Sequence, residues 1–176
     1  MWINGAPQEG ECPMENHPFS DLEGLRIAVE MEKRGVEFYH RAAKLTTSRH
    51  IAEMLEELAQ EEADHQRDFS KLLSAQCAAR GNEPAVCYSS ETSAYLSAVA
   101  ADVVFPGGLM EVGRRGGFDS LPAILTTAID SEKNSILFYT ELRDLTGDPL
   151  AREAFSSVIA QEKVHLARLQ QQLVTC

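Results

Sequence analysis

The sequence repeats itself after one hundred residues. The step Glu62-Ala63-Asp64-His65 returns as Glu162-Lys163-Val164-His165. The same shift superposes further identical residues, which are Ala28 and Ala128, Glu32 and Glu132, Lys33 and Lys133, Phe38 and Phe138, Tyr39 and Tyr139, and Leu73 and Leu173. A repeat at a fixed period is the signature of a duplicated structural unit. Each unit carries a Glu, a Tyr seven residues later, and a Glu-x-x-His thirty residues after the Glu.

Each unit has the hydrophobic pattern of two amphipathic helices. Apolar residues recur at alternating intervals of three and four along four segments, which places them on one face of an α-helix. Serine or aspartate at the segment starts is typical of an N-cap, and proline suits the first helical turn. The predicted helices run from Ser20 to about Leu45, from Ser48 to near Arg80, from Asp119 or Ser120 to about Leu145, and from Asp148 through Leu173.

Residues 81–118 separate the two units. Prolines and a cluster of glycines break the helical pattern there, leaving one short helical candidate from about Glu91 to Val104. A connection of this length can return the chain along the whole bundle. We therefore predict an all-α fold, a four-helix bundle with one long crossover between its second and third helices, which is the ferritin-like connection.

The domain boundaries follow from the same pattern. Residues 1–19 hold Cys12 and His17 among several prolines and glycines without a sustained period, so we expect a flexible N-terminal arm. Residues 20–176 are predicted to form one bundle domain. Its parts are a first hairpin (20–80), the crossover (81–118) and a second hairpin (119–174).

Composition excludes several classes of function. A net charge of -11 argues against nucleic acid or an anionic membrane as a partner, because both bind basic surfaces. The four cysteines never form a C-x-x-C motif, so neither a zinc ribbon nor a rubredoxin-type iron centre is predicted. The sequence has neither a signal peptide pattern nor an apolar run long enough for a membrane span. We expect a cytoplasmic protein.

Charged residues interrupt the apolar stripes at one level of the bundle. Each Glu-x-x-His occupies stripe positions on the second or fourth helix, and one glutamate lies mid-stripe on the first helix and one on the third. Burying unpaired carboxylates costs several kcal/mol each, and two divalent ions would balance four of them. The predicted metal ligands are Glu32, Glu62, His65, Glu132, Glu162 and His165. The alternative is a duplicated bundle that keeps these residues without binding metal.

The chemical type of the six predicted ligands favours some metals over others. Oxygen and nitrogen ligands without a thiolate favour iron or manganese over structural zinc, and they do not separate iron from manganese.

Two tyrosines are further site candidates. Tyr39 and Tyr139 lie within about 20° of the preceding stripe glutamate around each helix. They either hydrogen-bond a ligand carboxylate or a bound oxygen species, or they pack one layer away in the core. Glu61 and Asp64, by contrast, are expected to point away from the site into solvent.

The segment Ala28 to Tyr39, which reads Ala-Val-Glu-Met-Glu-Lys-Arg-Gly-Val-Glu-Phe-Tyr, resembles the rubrerythrin branch of the ferritin-like di-iron carboxylate proteins, as do the Glu-x-x-His steps. The resemblance covers about Ser20 to Leu173. It implies two irons bound by the six predicted ligands, with manganese or zinc as substitutes and with Glu62 and Glu162 as the bridging pair. It also implies reduction of hydrogen peroxide or dioxygen with electrons from an external donor protein.

The sequence departs from rubrerythrins in two respects. It lacks the second domain with paired C-x-x-C motifs that often supplies electrons in that family. It also lacks the additional glutamate that rubrerythrins usually carry three residues after the third-helix ligand. That position is Ser135, and its equivalent on the first helix is Gly35. The additional glutamate takes over an iron ligand position on reduction, so its absence bears on a peroxidase cycle.

Two other functions are open on the sequence. The six-ligand set without the additional glutamate is similar to that of bacterioferritin, which implies iron oxidation or storage. However, Ala63 stands where bacterioferritin has its haem-ligating Met, and no fifth helix follows the fourth, so we expect a homodimer rather than a cage. The third hypothesis is a non-catalytic iron or redox sensor whose N-terminal arm or crossover binds a partner.

Overall fold

Six helices make up the part of the chain that the computed structural model describes, which is residues 20–81, 89–102 and 108–175. They are α1 Asp21–Leu45, α2 Arg49–Arg80, α3 Ser90–Asp102, α4 Gly108–Arg114, α5 Leu121–Leu145 and α6 Pro149–Thr175. The four long helices begin and end within two residues of the predicted ends, and α3 matches the short candidate in the crossover. The predicted all-α bundle is confirmed. The proposed N-terminal arm, with Cys12 and His17, lies outside the described residues.

Polar side chains cap the long helices where the sequence predicts their starts. Ser20, Ser48 and Ser120 each accept a hydrogen bond from the backbone N–H three residues later, over 3.1 to 3.5 Å. Asp148 accepts one from Leu150 N–H at 2.9 Å at the start of α6. The first N–H groups of a helix have no intrahelical partner, so each cap satisfies a donor that would otherwise be unpaired.

Two antiparallel hairpins form the bundle. Residues 46–48 join α1 to α2 and residues 146–148 join α5 to α6, and the helices of each pair pack along one another. The hairpins then meet through α1 against α5 and α2 against α6. Aromatic rings fill this interface: the Phe69 ring centroid lies 5.3 Å from those of both Tyr139 and Phe155. No helix in the described ranges is long and apolar enough to cross a lipid bilayer.

The helix α4 is a difference from the sequence prediction. Glycines at 108, 113, 116 and 117 favour an irregular connection, yet Gly108–Arg114 is helical. Val112 is buried and α4 packs against α1, so tertiary packing overrides the low helix propensity of glycine. Directly after the helix, Gly116 adopts a positive φ of 78°, which allows the chain to turn towards α5.

Two side-chain contacts fix the end of α2 against its neighbours. The Gln76 amide donates a hydrogen bond to the Asp148 carboxylate at the start of α6. The Arg80 guanidinium pairs with Asp21 at the start of α1. Because both acceptors lie at helix N-termini, their negative charge is also favoured by the helix dipole. At one end of the bundle, these contacts connect the end of α2 to the start of α1 in its own hairpin and to the start of α6 in the other.

Replacement of the Ser120 cap tests this account of the helix starts. Ser120→Ala leaves the Ala123 N–H without its acceptor, so we expect the free energy of unfolding to fall by about 1 kcal/mol. Urea unfolding followed by circular dichroism measures the change. The matched control is Ser156→Ala, because Ser156 lies inside α6 and only donates to the Arg152 carbonyl; its effect should stay within about 0.5 kcal/mol. Equal losses in both variants would contradict the capping role.

Candidate metal centre

The structure brings the six predicted ligands together inside the bundle. All six residues are buried, with 1 to 5 % of their surface exposed. Residues three apart lie on the same face of a helix, so each Glu-x-x-His presents both side chains to the same space. The contributions are Glu32 from α1, Glu62 and His65 from α2, Glu132 from α5, and Glu162 and His165 from α6.

The ligand atoms form two overlapping groups. Within each group, the atoms lie within 4.8 Å of one another. The first group consists of Glu32, Glu62, His65 and Glu162, and the second of Glu62, Glu132, Glu162 and His165. Oxygen and nitrogen ligands lie about 2.0–2.2 Å from an ion such as zinc, so each group has roughly the dimensions of one metal site. Glu62 and Glu162 belong to both groups and therefore lie between the two sites.

Several polar atoms of the cluster have no hydrogen bond. Among the described residues, no group donates to or accepts from Glu32 Oε2, Glu62 Oε1, Glu162 Oε1 or either ring nitrogen of His65. An unsatisfied buried polar group costs about 1–3 kcal/mol, and more if it is charged. Each of the three carboxylate oxygens, and one nitrogen of the neutral imidazole, can supply a lone pair to a cation. The residues present therefore fit two divalent metal ions.

Crowding of the carboxylates shifts the pKa values in the metal-free chain. Burial, and then the negative charges of Glu162 and Glu32, raise the pKa of Glu62 well above its usual range. Burial and Glu162 raise the pKa of Glu132 in the same way. Although burial disfavours the imidazolium of His65, the carboxylates of Glu162 and Glu32 outweigh this effect and raise its pKa to about 11. Metal binding therefore competes with protons at these groups.

The two tyrosines contact the glutamates across the bundle. The Tyr39 hydroxyl on α1 donates to Glu132 on α5, and the Tyr139 hydroxyl on α5 donates to Glu32 on α1. Burial and the neighbouring carboxylates raise the pKa of both phenols well above the usual range. Both hydroxyls therefore remain protonated and donate hydrogen bonds to the carboxylates. Of the two alternatives from sequence, the structure shows the hydrogen bond to a glutamate of the cluster.

The prediction that Glu61 points away from the site is wrong. Its Oε2 lies 2.6 Å from Nε2 of His165, although the side chain is 42 % exposed. Glu61 lies off the apolar stripe of α2 and its partner is on α6, so the periodicity within one helix does not report the contact. Asp64 is exposed as expected, with Arg67 at 2.6 Å.

Gly35 lies directly against a ligand of the cluster. A Cβ atom placed on Gly35 would stand 3.0 Å from Glu62 Oε2 and 3.3 Å from its Cδ and Cγ. These distances are shorter than ordinary van der Waals contacts. The position of the duplicate residue, Ser135, is also buried. Because Gly35 has no side chain, the Glu62 carboxylate can pack directly against α1.

Comparison with known proteins agrees with this arrangement. Residues 23–173, which include all six predicted ligands, match the family model of rubrerythrin. Among solved structures, the chain is similar to a Thermotoga maritima protein described as a candidate ferritin-like diiron-carboxylate protein, with 26% sequence identity and a TM-score of 0.67. That match covers 90% of this chain and 97% of the other. Among curated proteins, no sequence gives a significant match. The predicted ferritin-like fold is confirmed.

Adding a methyl group at Gly35 tests the packing of the cluster. In Gly35→Ala, the new Cβ displaces the Glu62 carboxylate, and overpacking of this kind costs about 1–3 kcal/mol, or roughly tenfold to hundredfold in metal affinity. Alanine favours helices over glycine by about 0.5–1 kcal/mol, so the metal-free helices should remain intact. Competition with a chromophoric chelator measures the affinity. The control is Gly113→Ala, whose Cβ would meet its nearest neighbours at 3.9 Å. Unchanged affinity in Gly35→Ala would contradict the packing argument.

Metal binding should release protons. Since the pKa of His65 is about 11 in the metal-free chain, its imidazole is charged at pH 7 and loses its proton when it becomes a ligand. We expect at least one proton released per chain, and an affinity that rises with pH. Titration calorimetry in two buffers of different ionisation enthalpy measures the release. Glu162→Ala, which removes a ligand shared by both groups, serves as the control. Heats that do not depend on the buffer would contradict the protonation scheme.

Proposed function

The chain belongs to the rubrerythrin family, and we therefore propose that it is a di-iron oxidoreductase that reduces hydrogen peroxide or dioxygen. The observation that carries this proposal is the pair of overlapping ligand groups, which share Glu62 and Glu162. Metal ions held by shared carboxylates lie close together, as in other two-metal sites that act on one substrate. The proposed reaction suits such a pair, because reduction of hydrogen peroxide to water, or of dioxygen to hydrogen peroxide, takes up two electrons.

Each of the six ligands has a part in this proposal. Glu32 and His65 would hold one iron, and Glu132 and His165 the other, while Glu62 and Glu162 would bind both. When bound, the iron pair supplies electrons to the substrate and regains them from a donor. Four glutamate charges balance two divalent ions, so the filled site is close to neutral and its burial becomes less costly.

The tyrosines would position the carboxylates of the site. The hydroxyls of Tyr39 and Tyr139 hold one oxygen each of Glu132 and Glu32, which leaves the second oxygen of each free to bind an ion. Both phenols are almost completely buried. Their protons are therefore fixed at the phenol oxygens beside the site. We propose that both tyrosines set the orientation of the carboxylates and limit the access of water.

The electrons would come from a separate donor protein. The four cysteines of the chain form no C-x-x-C motif, so an electron-transfer centre of the rubredoxin type is not encoded in this sequence. The negative net charge of -11 would favour a donor with a basic docking surface, because opposite charge increases the rate of encounter.

Oxidation of iron(II) for storage is a second candidate function. One observation favours it. Rubrerythrins usually carry an additional glutamate three residues after the third-helix ligand, whereas this chain has Ser135 at that position and Gly35 at the equivalent position on α1. Ser135 supplies no carboxylate there, and any Cβ at Gly35 would stand only 3.0 Å from a Glu62 oxygen. A ligand exchange based on either position is therefore not available to this chain.

Stopped-flow absorbance distinguishes the two functions. The full chain is loaded anaerobically with iron(II) and mixed with hydrogen peroxide, and separately with dioxygen. We expect rapid oxidation of two irons per chain by peroxide, repeatable after each reduction. Glu162→Ala, which removes a shared ligand, should lose iron and the fast phase together while its circular dichroism still shows helices.

Other results would overturn the proposal. Oxygen-driven uptake of iron far beyond two ions per chain would indicate storage. Iron bound at two per chain but oxidised by neither reagent would exclude both activities. Full iron content in Glu162→Ala would contradict the ligand assignment.

A further inference from the structure

The two ring nitrogens of His165 face different groups. Nδ1 points into the cluster, 3.0 Å from Glu162 Oε2 and 3.2 Å from Glu62 Oε1. Nε2 points the other way, 2.6 Å from Glu61 Oε2. A carboxylate accepts hydrogen bonds, so we assign Nε2 as the nitrogen that donates a hydrogen bond to Glu61. This arrangement leaves Nδ1 as the atom that faces the metal site.

An arginine holds Glu61 in this position. Arg168 lies on α6, one turn after His165, and its Nη1 is 3.5 Å from both carboxylate oxygens of Glu61. Its Nη2 lies 2.6 Å from Oε2 of Glu57, which precedes Glu61 by one turn of α2. The guanidinium therefore contacts two successive turns of α2. It orients the carboxylate that in turn orients the imidazole.

The other half of the duplication lacks this network. The shift of one hundred residues replaces Glu61 by Gln161, Glu57 by Ser157 and Arg168 by Asp68. The Gln161 amide contacts the carbonyl oxygen of Ser157 on its own helix, at 3.5 Å. Nε2 of His65 has no hydrogen-bond partner among the described residues. The backbone is duplicated, but in the described residues only His165 has a carboxylate at Nε2, whereas the carboxylates near His65 face its Nδ1.

We propose that Glu61 is a positioning residue that makes the two metal positions unequal, so that the position beside His165 binds its ion first and more tightly. The inference rests on the proposed two-metal centre. A hydrogen bond from the second nitrogen of a ligating imidazole fixes the ring and increases its basicity, and loss of such a partner typically weakens metal binding by about 10–100-fold. His65 has no such partner at Nε2 among the described residues, whereas His165 has Glu61.

Zinc binding to the full metal-free chain tests the inequality without any redox step. Competition with a chromophoric chelator gives two dissociation constants, and we expect them to differ by about tenfold or more. Glu61→Ala should weaken the tighter step by about 10–100-fold and leave the weaker step unchanged. The matched control is Gln161→Ala at the duplicate position, which should change neither step. Glu61→Gln keeps an acceptor oxygen and should restore much of the affinity.

Nitrogen NMR of the imidazoles identifies the position that fills first. The chain has five histidines, and a His65→Gln variant assigns the two ligand rings. With one equivalent of zinc, the signals of His165 should shift before those of His65, and in Glu61→Ala this order should be lost. A purely structural role of Glu61 would change stability without changing the order. Arg168→Ala, which retains Glu61, should weaken the same step to a smaller extent.

Different results would contradict this inference and the proposed function. Two equal zinc affinities in the natural chain, or equal effects of Glu61→Ala and Gln161→Ala, would overturn the role of Glu61 and leave the two-metal centre standing. A chain that binds neither zinc nor iron(II) would overturn both.

Discussion

Four carboxylates at one level of a buried bundle axis are the constraint on which the rest of this structure depends. Each would cost several kcal/mol if it remained charged and unpaired. The chain compensates part of this cost with two imidazoles and two tyrosine hydroxyls. Five buried polar atoms of the cluster still lack a hydrogen bond among the described residues. Two divalent ions would supply the positive charge that these carboxylates still lack, and the shared glutamates would keep the ions adjacent.

The duplication explains the symmetry of the centre, and residues that differ between the two halves explain its asymmetry. Both halves supply the same Glu, Tyr and Glu-x-x-His, and each tyrosine contacts the glutamate of the other half. The hairpins are therefore joined by hydrogen bonds at the site as well as by the aromatic layer beside it. By contrast, Gly35 faces Glu62 and has Ser135 as its duplicate. Among the described residues, the network of Glu61 and Arg168 contacts His165 but not His65.

The helices and the composition of the site could be predicted because their signals are local. Caps such as Ser48 and Asp148 are specified by a few neighbouring residues, and the spacing of Glu62 and His65 fixes their common face on one helix. The contact of Glu61 with His165 could not be predicted, because it depends on how far α2 and α6 are rotated and separated. The same holds for the space beside Gly35. The short helix α4 could not be predicted either, because its packing against α1 outweighs the low helix propensity of its glycines.

The most direct test of the central claim is X-ray diffraction at the iron absorption edge, from crystals of the chain loaded anaerobically with iron(II). The account predicts two anomalous peaks inside the bundle, one bounded by Glu32 and His65 and the other by Glu132 and His165, with Glu62 and Glu162 contacting both. A single peak, or peaks only at surface carboxylates, would show that the buried cluster is not a two-metal centre.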